Sequence, residues 1–113
     1  MDRPPRLKSH ILVAALLRRA EIAGAPAQIV RKGDADAGAV AVKVFLGRID
    51  GAPMARLFLQ GLDETGAPAW REPFPGAAPE GKIDALLDKE RRFDRDLWIV
   101  EIEDRLGRNF LSD

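Results

Sequence analysis

The chain has no cysteine. That removes disulfide frameworks, thiolate zinc sites and cysteine nucleophiles together, and it leaves the redox compartment open. Histidine is reduced to His10, and one imidazole without thiolate partners does not build a zinc site. Hydroxyl side chains are nearly missing as well: Ser9, Thr65 and Ser112 are the whole set, and none lies in a nucleophile elbow, which argues against serine hydrolase chemistry. Tyrosine is absent, and five Phe and two Trp are too few to fill a core and also line a stacking platform for single-stranded nucleic acid. Excess charge is missing too. Eighteen basic side chains balance 18 acidic ones, so no long-range field draws nucleic acid or an anionic membrane.

No apolar run is long enough to span a bilayer. The N-terminus imitates an export signal, with Arg3, Arg6 and Lys8 ahead of Ile11 to Leu17 and small residues at Ala23-Gly24-Ala25. The imitation fails at Arg18, Arg19 and Glu21, which occupy the stretch that a signal peptide keeps small and neutral. The expectation is a cytoplasmic protein without membrane association. What is present is 113 residues with 46% hydrophobic content, enough for one domain over residues 1–113 with a core that needs no metal or disulfide.

Ser9 is placed to cap a first helix over residues 9–23, and Gly24 and Pro26 stop it. The helix is apolar nearly all round from Ile11 to Leu17, so a sheet on one side and a further cover on the other are expected. Residues 28–31 and 38–46 are β-branched runs around the turn composition Lys32 to Ala37, which predicts a hairpin with a charged tip. Along the second run Val40, Val42, Val44 and Leu46 share one face. Ala39, Ala41 and Phe45 share the other, interrupted by Lys43. A turn at Arg48 to Gly51 leads to a third strand, Met54 to Gln60. The stretch 61–81 is rich in glycine and proline and reads as a long loop with a short strand at Ala69-Trp70-Arg71. A second helix follows over residues 80–93, with Ile83, Leu86, Leu87 and, at its end, Phe93 on the inward side. The last strand, residues 97–103, is apolar on both faces at its start and delivers Glu101, Glu103 and Asp104 to an edge. The resulting fold is α+β: a four- or five-stranded, mainly antiparallel sheet with two helices, which either share one face or, as the apolar residues on both faces of Val40 to Leu46 favour, form a three-layer α/β/α sandwich.

The chain resembles a family of small alphaproteobacterial proteins, domain-of-unknown-function family 1491. The resemblance rests on Arg6-Leu7-Lys8-Ser9 leading into Ala14-Ala15-Leu16-Leu17-Arg18-Arg19, on Arg31 to Val40, and on Asp94 to Arg105. The family pattern has Asp-Pro-Asp where this chain has Asp94-Arg95-Asp96, which takes the proline out of that turn. The resemblance implies a bacterial, cytoplasmic protein and brings no activity, cofactor or site residue with it.

Two functional readings follow from the residues. The first is a non-enzymatic interaction module, self-associating as a homo-oligomer or binding a protein partner, with Trp70, Phe74, Arg31, Lys32 and Arg105 at the contact surface, because buried tryptophan and arginine anchor interfaces. The alternative is a divalent-metal-dependent enzyme acting on a phosphate-containing substrate, with Asp34, Asp36, Glu101, Glu103 and Asp104 as oxygen ligands if the hairpin tip and the last strand meet. The plainer role for those acids is a turn aspartate capping its own backbone beside carboxylates paired with Arg31, Arg105 and Arg108. No residue pattern calls for a cofactor. The cluster Lys89, Arg91, Arg92 and Arg95 is interleaved with Asp88, Glu90, Asp94 and Asp96, so its field cancels and nucleic acid is disfavoured.

Overall fold

The computed structural model describes residues 7–112. Arg3 and Arg6 of the expected N-terminal basic cluster lie outside the described residues. The elements are α1 (Ser9–Ile22), β1 (Ala27–Arg31), β2 (Val40–Ile49), β3 (Ala52–Leu62), β4 (Pro68–Arg71), β5 (Ala78–Pro79), α2 (Glu80–Phe93) and β6 (Trp98–Glu103). Among the described residues no helix is long and apolar enough to cross a membrane.

Helix α1 begins without the expected serine cap. Its N-cap is Lys8, no side chain caps it, and the Ser9 hydroxyl donates to the Gly38 carbonyl instead. The reason is tertiary: the Ser9 and His10 amides donate to the carbonyls of Asp36 and Ala35, so the loop after β1 satisfies donors that a local cap would otherwise serve. At its other end Gly24 takes a positive φ of 77°. There the Gly24 amide donates to Glu21 and the Ala25 amide to Ala20, which ends the helix in a Schellman turn.

The predicted hairpin of the first two strands does not form. Strand β6 enters between them, antiparallel to β1 and parallel to β2, in the sheet order β1-β6-β2-β3-β4, with β5 also on β3. The two runs keep the antiparallel sense of a hairpin but are spread by one strand, about 10 Å in all. The connection between them wraps the start of β6: Trp98 Nε1 donates to the Asp34 carbonyl at 2.7 Å, the Asp34 amide to Asp96 at 3.1 Å and the Trp98 amide to Ala39 at 2.8 Å. A Cβ on Gly33 or Gly38 would overlap the Asp96 carbonyl oxygen, so glycine is what allows this close approach. Five ladders result, and only β2–β6 is parallel.

The helices cover opposite faces, which makes the three-layer sandwich. Val13, Leu16 and Ala20 of α1 pack on Val40, Val42, Val44, Phe58, Trp98, Val100 and Ile102. Ile83 and Leu87 of α2 pack on Ala41, Ala55, Leu57, Leu59, Leu97 and Ile99. Trp98 is 3% exposed and Val100 and Ile102 are fully buried, so β6 is an interior strand. Phe93, read from the sequence as inward, is exposed at the last residue of α2, where the helix has run past the sheet. Asp50 and Gly51, both at positive φ, make the two-residue turn between β2 and β3. Within 61–81 the chain is tied by β4 and β5, and it packs Trp70 against the α1-side core and Phe74 against the α2-side core.

Candidate interaction surface at the open sheet edge

The two edges of the sheet are built differently. On the far side β3 is covered by β4, which starts with Pro68, and by β5, which ends with Pro79, so the outer strands are short and each gives up one backbone donor to proline. On the near side β1 is the outermost strand among the described residues, and it contains no proline. Its register with β6 pairs Ala27 with Ile102, Gln28 with Glu101 and Ile29 with Val100, and a bulge at Val30 follows. The Glu103 amide donates to the Pro26 carbonyl at 2.8 Å. Antiparallel alternation then turns Gln28 toward β6 and points the N–H and C=O of Ala27 and Ile29 outward. Ile29 is 43% exposed on the α1 side and Val30 is 52% exposed at the bulge. Apolar side chains thus flank backbone donors and acceptors that have no ladder partner among the described residues.

Behind this edge, on the α2 side, lies a polar cluster around Lys43. Its side chain is 7% exposed, and Nζ reaches Asp84 Oδ1 at 2.7 Å and Glu80 Oε2 at 2.8 Å on α2, while Glu101 is its cross-strand neighbour on β6. Burial alone pushes the Lys43 ammonium toward losing its proton. The hydrogen bonds to Asp84 and Glu80 and the nearby Glu101 charge together outweigh that, so its pKa lies above the ordinary lysine value. Two shallow hollows open here and share Glu101. One of about 240 Å³ lies over Ala27, Gln28 and Glu103, and one of about 290 Å³ lies between Val30, Ile99, Leu87 and Lys43.

A family model described as a protein of unknown function (DUF1491) matches residues 7–112. The chain belongs to the DUF1491 family. A crystal structure of a DUF1491 family protein from Caulobacter crescentus is similar, with 46% identity, a TM-score of 0.82 and coverage of 96% of this chain and 97% of that one. An NMR structure of a DUF1491 family protein from the same organism gives 45% identity and a TM-score of 0.82 over 97% and 96% of the two chains. A solution structure of a protein from A. tumefaciens gives 35% identity and a TM-score of 0.71 over 88% and 87%. No match was found among curated proteins. The resemblance read from the residues is thereby established, and the description of DUF1491 assigns no activity.

In this DUF1491 chain the two acidic groups do not meet. Asp34 and Asp36 lie at the start of β6, and Glu103 and Asp104 lie at its end, about 17 Å apart for six residues of strand. Asp34 accepts from the amides of Asp36 and Ala37, and Asp36 lies 3.7 Å from Lys8. Asp104 accepts from Arg108 Nε at 2.9 Å and from the Arg108 amide at 2.9 Å, and this guanidinium holds its carboxyl below the usual aspartate range. Among the described residues no three His, Asp or Glu side chains converge to hold a metal ion. Arg31 points inward to the α2–β6 turn, donating to the carbonyls of Leu97 at 2.7 Å, Arg95 at 3.0 Å and Asp94 at 3.3 Å. Lys32 and Arg105 are exposed, on opposite ends of the sheet. The Glu80 and Asp84 partners of Lys43 were not anticipated; the signal was a lysine interrupting the face that Ala39, Ala41 and Phe45 share.

Proposed function

We propose that the protein is a non-enzymatic interaction module of the cytoplasm that accepts an extended segment of another polypeptide along β1. The observation that carries this reading is the edge of β1, unpaired among the described residues, where the outward backbone groups of Ala27 and Ile29 stand beside exposed Ile29 and Val30. Strand addition takes its affinity from such main-chain groups and its selectivity from alternate side chains. Trp70 and Phe74 are partly buried against the two cores, and the proposed surface lies on the opposite edge, where apolar side chains are more exposed. Self-association is one form of the same chemistry, because a second copy can lay its own β1 antiparallel to this one.

Panning displayed libraries of short random peptides tests the reading, with binders mapped by amide chemical shifts and repeated on Ile29→Pro. The Ile29 N–H points outward, so proline removes an edge donor without taking a bond from the β6 ladder. Binders that shift Ala27 and Ile29 and are lost in the variant support it. Binders that map elsewhere and ignore the variant refute it.

A further inference from the structure

We infer that the segment β1 accepts is basic on one face, carrying lysine or arginine at alternate positions on the α2 side. This rests on the strand-addition reading and adds the chemistry of the partner.

The argument is one of charge on a defined face. The α2 side of the near edge carries Glu101 and Glu103 on β6, with Asp84 and Asp88 of α2 lining the neighbouring hollow. Of the cations that face it, Lys43 is already shared among Asp84, Glu80 and the nearby Glu101, Arg91 lies 3.8 Å from Asp88 on its own helix, and Arg31 is tied to three backbone carbonyls. Glu103 has no ion pair among the described residues and is exposed. Between these acids and the open edge stands Gln28, which is neutral and exposed, with a hollow above it lined by Glu101 and Glu103. A strand added outside β1 lies about 10 Å from β6, and two long side chains, a lysine or arginine on one and a glutamate on the other, span that distance over Gln28. The floor of the neighbouring hollow is apolar at Val30, Leu87 and Ile99, which suits the methylene stems of such residues. On the other face of the same strand, Ile29 asks for apolar residues, so the expected pattern is strict basic–apolar alternation. A second copy is the poorer occupant, because it would bring its own Glu101 and Glu103 to an acidic face.

The test uses the full chain and three short synthetic peptides in which valine alternates with lysine, with serine or with glutamate. Binding is read by fluorescence anisotropy and placed by the amide shifts of Ala27 and Ile29. The lysine peptide is expected to bind about fivefold more tightly than the serine peptide at low salt, from two exposed ion pairs each worth a factor of roughly two to three. The advantage is expected to fall in high salt and in Glu103→Gln and Glu101→Gln variants, with thermal melts confirming that each variant is folded. Equal binding of the lysine and serine peptides at β1, or a preference for glutamate, overturns the basic partner and leaves strand addition standing. Binding of all three that is indifferent to Ile29→Pro, or no shift at β1 from any of them, overturns strand addition itself.

Discussion

Lys43 offers the sharpest check on how α2 is held to the sheet. Lys43→Met keeps most of the buried stem and removes the ammonium, leaving Glu80, Asp84 and Glu101 without their common cation. Breaking a fully buried pair costs about 3–5 kcal/mol, and an exposed one about 0.2–1 kcal/mol. Here the cation is 7% exposed and its partners are 27% and 52% exposed, so the acids can rehydrate and the cost falls between, at about 1–2 kcal/mol. For a chain of this size that corresponds to a melting point lower by about 4–10 °C. Lys43→Ala also loses about three buried methylenes and is expected to cost about 3–4 kcal/mol. The pH dependence carries a definite sign. The folded pKa is raised, so the contribution is fully present below the unfolded lysine value, near pH 10.4, and is lost as pH rises through the higher folded one. Thermal melts by circular dichroism from neutral to strongly alkaline pH should therefore show wild type and Lys43→Met converging at the alkaline end. A Lys43→Met protein that melts with or above wild type at neutral pH refutes the reasoning, as does a gap that does not close at high pH.

Other outcomes follow from the same contacts. Trp98→Phe removes the indole donor to the Asp34 carbonyl and should lower stability by about 1–3 kcal/mol in urea titration, since that carbonyl loses a buried partner. Gly33→Ala and Gly38→Ala force the connection off the Asp96 carbonyl and should each cost about 2–4 kcal/mol by the same assay, more than Gly81→Ala, where a Cβ meets open space. Asp104 has a depressed pKa, so the stability it contributes is present above the unfolded aspartate value and lost as pH falls through the folded one; the gap between wild type and Asp104→Asn should close as pH falls through that lower value. Ile29→Pro should melt within about 1 kcal/mol of wild type, because the altered N–H faces outward.

What the sequence disclosed was local periodicity. The alternation of Val40 to Leu46 and of Trp98 to Ile102 marks two interior strands, apolar on both faces, and that two-sidedness implied helices above and below. The second helix was legible from Ile83, Leu86 and Leu87 at helical spacing. Pairing was not legible, because consecutive strands with a turn between them pair by default and nothing local says that a strand some 60 residues later will part them. The connection between the two runs carried that information only through Gly33 in the turn and Gly38 just after it, whose need for close approach to Asp96 depends on a distant carbonyl. The Lys43 cluster was hidden for the same reason. A lysine in an apolar run signals a partner, but Glu80 and Asp84 become that partner only when α2 crosses its face. Helix capping failed likewise at Ser9, where distant carbonyls took over a local task.

The position of β6 also bears on synthesis. While the chain emerges from the ribosome, β1 is made early and its ladder neighbour comes last among the elements, so β1 and one side of β2 wait unsatisfied through the translation of β3, β4, β5 and α2. Folding of this sheet is therefore a late event with a high contact order, and nascent intermediates expose two adhesive strand margins in place of one. A partner or chaperone that shields such margins would act on the same strand that is outermost among the described residues of the finished protein.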